Sequence, residues 1–134
     1  MSHPREDELV SAARAALARA YAPYSDFQVG AAVLGESGTI YSGANVENAS
    51  YPVGICAERV AIGTAVSAGE RRIEAVAIVT DTDDPVCPCG MCRQAIREFA
   101  DDLPIILSTR DDTRHRHTLA SLLPHSFSPK DLGR

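Results

Sequence analysis

Apolar residues recur near the start of the chain at the spacing of an amphipathic helix. Between Arg5 and Ala20 the residues that share one face are Leu9, Ala13, Leu17 and Ala20. Positions three and four apart lie on the same side of a helix, so this stretch predicts a helix with one buried face. Pro23 prevents the helix from continuing much further because proline lacks the backbone N–H that a helix interior needs.

The next segments alternate between short apolar stretches and polar connections. Val29–Leu34 and Thr39–Ala44 predict two strands, and the intervening sequence Gly35-Glu36-Ser37-Gly38 is typical of a hairpin. A polar loop is expected over Asn45–Gly54. Cys56–Ala68 then has the apolar spacing of a second helix, which ends at a glycine.

The second half of the chain predicts a strand, a helix and another strand. Ile73–Thr80 is a candidate buried strand, Asp81–Pro88 a loop, Cys89–Phe99 an amphipathic helix and Pro104–Ser108 a short strand. A last helical turn is expected over Thr118–Leu123. The order αββαβαβ indicates a mixed sheet covered by helices on both faces. Its strand–helix–strand part predicts a right-handed parallel crossover.

Composition and charge restrict the class of protein. The chain has 134 residues, 45% of them hydrophobic, which suits a single packed domain over residues 1–134. Thirteen basic against eighteen acidic residues give a net charge of −5, so binding to a long nucleic acid is not expected. The polar N-terminus and the lack of a long apolar run predict a cytoplasmic protein without membrane contact. His115 and His117 alternate with arginines and are expected in an exposed strand or loop.

Four cysteines indicate a metal site. Cys87, Cys89 and Cys92 lie within six residues and Cys56 stands apart, a spacing unlike that of a secreted disulfide scaffold. Cys56 and Cys89 each lie where a loop turns into a helix, and helix N-termini favour thiolates. Three sulfurs, from Cys56, Cys89 and Cys92, then leave a fourth zinc position for water, as in catalytic sites. A closed site that also uses Cys87 remains the alternative, although Cys-x-Cys is tighter than usual zinc spacing.

Glu58 gives an open zinc site a chemical use. Residues two apart in mid-helix point to nearly opposite sides, so Cys56 and Glu58 face one pocket only if Cys56 precedes the helix. A carboxylate beside an activated water accepts its proton and returns it to the substrate. The alternative role for Glu58 is a solvated side chain in the first turn of a helix.

These residues reproduce the signature of zinc nucleoside deaminases, Cys- or His-x-Glu followed by Pro-Cys-x-x-Cys. From about Tyr21 to Leu132 the chain resembles the small homotetrameric cytidine deaminases. The resemblance implies a three-layer α/β/α fold with a central mixed five-stranded sheet, one zinc ion per chain and active sites shared between subunits. The segments that carry it are Pro23 to Ala32, Gly43 to Ala49, Tyr51-Pro52, Cys56 to Arg59, Cys89 to Gln94 and Leu122 to Leu132.

The resemblance also assigns substrate contacts. Asn45 and Glu47 match a pair that binds the ribose, Phe27 an aromatic that packs on the pyrimidine, and Ala57 a position whose backbone contacts the base. Phe127 matches an aromatic that reaches into a neighbouring subunit's site. The alternatives are capping or turn formation for the polar residues in this loop, core packing for Phe27 and a C-terminal hydrophobic anchor within one subunit for Phe127.

Arg59 and Gln94 match residues that donate hydrogen bonds to the zinc-binding sulfurs. Three thiolates and Zn²⁺ carry a net charge of −1, which weakens the metal's effect on its water. Donors to the sulfurs withdraw electron density and restore that effect. A surface ion pair is the alternative role for Arg59.

The activity implied is the zinc-dependent hydrolysis of cytidine and 2′-deoxycytidine to uridine and 2′-deoxyuridine with release of ammonia, a step of pyrimidine salvage. Glu58 is the expected proton carrier. Three alternatives stay open at this point: deamination of a related aminopyrimidine such as blasticidin S, a zinc-stabilised binding module without catalysis, and editing of RNA or DNA.

Overall fold

One five-stranded sheet lies between two helical layers in the computed structural model, which describes residues 3–134. The elements in chain order are α1 (Glu6–Leu17), β1 (Val29–Gly35), β2 (Ile40–Ala44), α2 (Ala57–Ser67), β3 (Ile73–Thr80), α3 (Gly90–Arg97), β4 (Pro104–Ser108), β5 (Arg114–Thr118) and α4 (Leu119–Leu122). Short 3₁₀ turns occur at Tyr51–Val53 and Pro129–Leu132. Within the described residues, none of the helices has the length and apolar character that a membrane crossing requires.

The sheet is mixed, as predicted. Its strand order is β2-β1-β3-β4-β5, and β3 and β4 are parallel while the other neighbours are antiparallel. The register pairs Val29, the first residue of β1, with Thr80, the last residue of β3. The start of β1 and the end of β3 therefore lie side by side, at the carboxyl end of strand β3.

The two faces of the sheet carry separate cores, so the predicted three-layer arrangement is confirmed. On one face α1 buries Leu9, Val10 and Ala13 against the sheet. On the other face α2 and α3 bury a larger set, which includes Ala61 and Ile96. The period-2 alternation of strand side chains explains this division because successive residues of β3 point to opposite layers.

Element boundaries differ from the sequence predictions mainly at helix ends. The first helix stops at Leu17 rather than Ala20, since the amides of Arg19 and Ala20 bond to carbonyls only three residues back. The last helical turn begins one residue later than predicted, with the side chain of Thr118 capping it. Strand β3 and strand β4 have the predicted bounds.

Strand β5 lies in the region for which the sequence left the choice between strand and loop open. Its arginines are tied to the first helix by the buried carboxylate of Glu6. Arg114 Nη1 donates to Glu6 Oε2 at 3.0 Å, and Arg116 donates through Nε and Nη2 at 2.8 and 2.7 Å. The Arg116 hydrogen bonds, with those of Arg114, hold the pKa of Glu6 below its usual range. A strand without an apolar pattern is thus stabilised by charge pairing at the sheet edge.

Two glycines allow the helical layers to approach the sheet closely. A Cβ at Gly30 would lie 1.9 Å from the carbonyl oxygen of Ala13 in α1. A Cβ at Gly43 would lie 2.6 Å from the amide nitrogen of Ala61 in α2. Any side chain at these positions would push a helix away from its strand.

Gly43 and Gly63 form a matched pair for testing this packing. We expect Gly43→Ala to lower the free energy of unfolding by about 1–3 kcal/mol, the usual cost of overpacking. Gly63→Ala lies in the middle of α2 with no atom within 4 Å of the added Cβ. It should raise the free energy of unfolding by roughly 0.5–1 kcal/mol because alanine favours a helix. Urea unfolding of both variants is the measurement, and equal effects would contradict the close-packing account.

Candidate active site

Two of the predicted zinc ligands occupy the position directly before a helix. Cys56 precedes α2 with φ −73° and ψ 152°, and Cys89 precedes α3 with φ −67° and ψ 166°. Both conformations are extended, as the spacing between Cys56 and Glu58 requires if the two are to face one pocket. The first-turn N–H groups of both helices lack partners within the helix, so each N-terminus presents a partial positive charge to its sulfur.

The geometry of the sulfurs suits one zinc ion. The Sγ atoms of Cys56, Cys89 and Cys92 all lie within 4.8 Å of one another. Around a tetrahedral zinc with bonds of about 2.3 Å, sulfurs lie about 3.8 Å apart. Cys87 is outside this group and exposed. Within residues 3–134 the clustered thiols are therefore three, as an open site requires, and the closed four-cysteine arrangement is not assembled.

Hydrogen bonds among the thiols distribute negative charge unevenly before metal binds. Hydrogen bonds from Cys92, Arg59 and Cys89 lower the pKa of Cys56 to about 5, against the opposing effect of burial. The same contact with Cys56, together with burial, raises the pKa of Cys92. The cluster thus favours a thiolate at Cys56, and a metal ion that binds to these thiols displaces protons.

Arg59 lies beside this cluster. Its partial burial works to lower the pKa of the guanidinium, but the sulfurs of Cys56 and Cys92 outweigh burial and raise it. Among the described residues the Nε atom of Arg59 is buried without a hydrogen-bond partner. Three thiolates and Zn²⁺ would carry a net charge of −1, and a cation next to the sulfurs offsets it.

Gln94 makes a different contact from the one predicted. Its Nε2 donates to the backbone carbonyl of Phe127 at 2.9 Å. Residues 3–134 contain no hydrogen bond from Gln94 to a sulfur. Gln94 follows Cys92 by two positions in α3, so the two side chains leave the helix in different directions and Gln94 is exposed.

Glu58 is the second residue of α2 and is only 5% exposed. Burial raises the pKa of its carboxyl group, and the negative charge on Cys56 raises it further. A buried carboxyl group with a raised pKa next to a metal site has the properties of a proton carrier. Glu58 lines the same cavity as Cys56 and Cys89.

A cavity of about 250 Å³ opens at the carboxyl end of β3, next to the start of β1. The residues expected from the sequence that line it are Phe27, Asn45, Cys56, Ala57, Glu58 and Cys89. Cys87, which the sequence offered only as an alternative fourth ligand, also lines it. Val29, Ile78, Thr80 and Val86 line it too and were not predicted as site residues. Only their place in the chain could have indicated those at and after the end of β3, since ligand sites in α/β folds form at the carboxyl ends of parallel strands.

Asn45 supports the wall of this cavity. Its Oδ1 accepts a hydrogen bond from the amide of Val29 at 2.9 Å, and its Nδ2 donates to the carbonyl of Phe27 at 2.8 Å. An amide side chain has one further donor hydrogen and one further lone pair. Asn45 therefore fixes the approach to β1 and keeps bonding capacity for a ligand.

Glu47 lies in a neighbouring cavity of about 250 Å³, which Tyr24, Ser25 and Tyr51 also line. Its carboxylate accepts hydrogen bonds from the amides of Tyr24 and Ser25 at 3.0 and 3.1 Å and from the hydroxyl of Ser25. The hydroxyl of Ser25 contributes most to holding the pKa of Glu47 below its usual range. The predicted pair Asn45 and Glu47 thus lines two different cavities, to each of which the segment before β1 and the segment after β2 contribute.

Phe127 lies away from both cavities. Its side chain is 57% exposed in the C-terminal tail, and its backbone carbonyl is held by Gln94 of α3. The described residues of one chain do not bring this ring to the cavity that Phe27 lines.

Comparison with known proteins relates this arrangement to a family. Residues 4–107 match the sequence profile of the cytidine and deoxycytidylate deaminase zinc-binding region. A cytidine deaminase of Sporosarcina psychrophila is 47% identical over 127 residues, or 94% of this chain and 93% of the relative. A probable cytidine deaminase of Dictyostelium discoideum is 38% identical over 133 residues, or 98% and 90%. The crystal structure of cytidine deaminase from Burkholderia pseudomallei gives a TM-score of 0.86 at 42% identity and covers 95% of this chain and all of that one.

The two exposed thiols of this region test the ligand set. We expect Cys87→Ser to retain one zinc per chain, because its sulfur is not part of the cluster. Cys89→Ser should lose most of the zinc, since an alcohol is a poor zinc ligand. Zinc content of the two purified variants, measured by atomic absorption, distinguishes them. Loss of zinc from Cys87→Ser would support the closed four-cysteine site instead.

Proposed function

The chain belongs to the zinc-dependent cytidine deaminase family, and from that premise we propose that it hydrolyses cytidine and 2′-deoxycytidine to uridine and 2′-deoxyuridine, with release of ammonia. The observation that carries the proposal is the position of buried Glu58 beside three clustered sulfurs at one cavity. Such a combination serves proton transfer next to a metal rather than structural zinc binding alone. The reaction would place the enzyme in pyrimidine salvage.

The cavity offers the contacts that a pyrimidine nucleoside needs. Phe27 presents an aromatic ring to its interior, and Ala57 brings the backbone of α2 to the cavity without a bulky side chain. The remaining bonding capacity of Asn45 suits a ribose hydroxyl. Glu47, at the neighbouring cavity, would bind the sugar only where the nucleoside extends across both cavities.

Glu58 would move the protons of the reaction. Zinc held by Cys56, Cys89 and Cys92 supplies a Lewis acid, which in favourable sites lowers the pKa of water from about 15.7 to roughly 7. Glu58 takes one proton from the water and delivers it to N3 of the ring, which makes C4 electrophilic. As oxygen adds to C4, the carboxylate takes the second proton and passes it to the amino group. The C4–N bond then breaks, ammonia leaves and C4 becomes a carbonyl carbon.

Arg59 would offset the charge of the three thiolates. Three thiolates reduce the Lewis acidity of zinc, and a guanidinium beside Cys56 and Cys92 draws electron density from the sulfurs. Gln94 would contribute at the sulfurs only after exchanging its bond to the Phe127 carbonyl. We therefore assign the larger part of this role to Arg59.

The oligomer proposed is a homotetramer with shared active sites. Exposed apolar side chains support association, since Phe127, Tyr51 and Leu132 are 57%, 74% and 69% exposed. We also propose that residues 1–134 act as one deaminase domain, because both chain ends are tied to the same body by the bonds of Glu6 and Gln94. A cytoplasmic location is proposed because three thiolates persist in a reducing compartment.

Glu58→Gln tests the proposal directly. We expect wild-type protein to release ammonia from cytidine and the variant to lose about 10²–10⁴-fold in kcat, the usual contribution of a positioned acid or base. Zinc content should stay at one per chain because Glu58 is not a ligand. Glu74→Gln, on an exposed position of β3, is the matched control and should keep full activity. Near wild-type turnover by Glu58→Gln would contradict the assigned role.

Mixing two inactive variants tests whether Phe127 acts on a neighbouring subunit. We expect Phe127→Ala to have low activity because the ring completes a partner's substrate site. Co-expression of Phe127→Ala with Glu58→Gln should restore about a quarter of the wild-type sites, since each restored site combines one intact residue from each of two chains. Activity no higher than that of the separate variants would show that Phe127 does not act across subunits.

A further inference from the structure

A connecting loop, residues 81–88, joins the end of β3 to the zinc ligand Cys89. Two of its residues, Val86 and Cys87, line the cavity that contains Glu58. The loop has no helical or strand hydrogen bonding of its own. Its position, and with it one wall of the cavity, must therefore be fixed by contacts from other parts of the chain.

Arg110 supplies contacts at the start of the connecting loop. It lies two residues after β4, and all three nitrogens of its guanidinium group bond to the loop. Nε donates to Asp81 Oδ1 at 2.8 Å, Nη2 to the Asp81 carbonyl at 2.8 Å, and Nη1 to Asp83 Oδ1 at 2.5 Å. The backbone amide of Arg110 donates to the carbonyl of Thr82 at 3.0 Å. One residue therefore holds three consecutive residues of the loop.

Two threonine hydroxyl groups connect the start of the connecting loop, which Arg110 holds, to the cavity. The Thr82 hydroxyl donates to the carbonyl of Asp84 at 2.7 Å, which ties the middle of the connecting loop to its start. The same hydroxyl lies 2.7 Å from the hydroxyl of Thr80, a cavity-lining residue that is 2% exposed. A shift at Arg110 is thus passed to both Thr80 and the segment that leads to Val86.

A second arginine holds the other end of the connecting loop. Arg93 Nε donates to the carbonyl of Pro88 at 2.8 Å, directly before the zinc ligand Cys89. Its Nη1 donates to the carbonyl of Leu122 at 2.7 Å. Loss of Arg110 would therefore leave the zinc end of the loop in place and release its first half, from which the chain runs on to Val86 and Cys87.

We propose that Arg110 is a positioning residue for the substrate, which holds the connecting loop so that Val86 and Cys87 form one wall of the nucleoside cavity. This inference rests on the proposed function. The ion pairs of Arg110 with Asp81 and Asp83 are at the surface, and such pairs contribute little to stability. The contribution of Arg110 is thus to loop geometry, which affects substrate binding more than folding.

The test compares Arg110→Ala and Arg110→Lys with Arg72→Ala. The side chain of Arg72 pairs at the surface with Asp101 at 3.6 Å, at the opposite end of β3 from the connecting loop, and Arg72 serves as the matched control. We expect Arg110→Ala to raise KM for cytidine about tenfold, less than the roughly 100-fold that a 1 Å misplacement of reacting groups can cost. The kcat and the zinc content should stay near wild type. Arg110→Lys should recover part of the loss because one cation can still bond to a carboxylate.

Amide hydrogen exchange provides a readout that does not depend on turnover. Faster exchange confined to residues 81–88 in Arg110→Ala is the expected result, with no change in Arg72→Ala. An unchanged KM, unchanged exchange, or a fall in zinc content that parallels the activity would overturn the inference. Should Arg110→Ala fail to fold, Asp81→Ala removes the carboxylate that accepts from Arg110 Nε and must raise KM in the same direction. Absence of cytidine deamination by the wild-type chain would instead refute the proposed function, while exchange would still decide whether Arg110 holds the loop.

Discussion

The site depends on one constraint: the N-termini of two helices lie close together at the carboxyl end of β3. Helix α2 comes before β3 in the chain and α3 comes after it, and both pack on the same face of the sheet. Cys56 and Cys89 each precede one of these helices in an extended conformation, so both sulfurs lie where helix dipoles favour thiolates. Cys92 completes the group from the first turn of α3. If either helix began a residue earlier, its cysteine would point along the helix surface and the cluster would be lost.

The same constraint places the carboxylate. Because Cys56 is not yet helical, Glu58 shares its side of the chain and is buried at the cavity rather than exposed on the outer face of α2. Burial and the charge of Cys56 both raise the pKa of Glu58 above its usual range, the direction that suits a proton carrier. The glycine at position 43 of β2 lets α2, the helix that carries Glu58, pack closely on the sheet. Packing and chemistry are therefore coupled through the position of one helix.

The sequence was most informative where a local rule determines the structure. The bounds of β3 follow from apolar patterning. The spacing of Cys56 and Glu58 indicated that Cys56 lies just before α2, although the apolar pattern alone began the helices at Cys56 and Cys89, one residue early. The identity of β5 as a strand does not, since its stability comes from bonds between Arg116 and Glu6, residues 110 positions apart. The hydrogen bond from Gln94 to the Phe127 carbonyl was not predicted either, because a motif shows which residue occupies a position but not which group that residue bonds.

The prediction of substrate-binding residues is limited in the same way, because their positions depend on contacts between distant parts of the chain. Asn45 and Glu47 are two residues apart in the sequence, yet hydrogen bonds to different backbone groups place them at neighbouring cavities. Among the described residues Phe127 lines neither cavity, so the substrate contact proposed for it requires a second copy of the chain. Val86 and Thr80 became recognisable only after the carboxyl end of β3 was located beside α2 and α3.

X-ray absorption at the zinc edge of the purified, reduced protein tests the central claim most directly, because it measures the atoms around the metal. The account predicts three sulfurs at about 2.3 Å and one oxygen at about 2.0–2.2 Å, the coordination of an open catalytic site. Four sulfurs would show that Cys87 closes the site. That result would contradict the account, since no position would remain for the water that Glu58 must deprotonate.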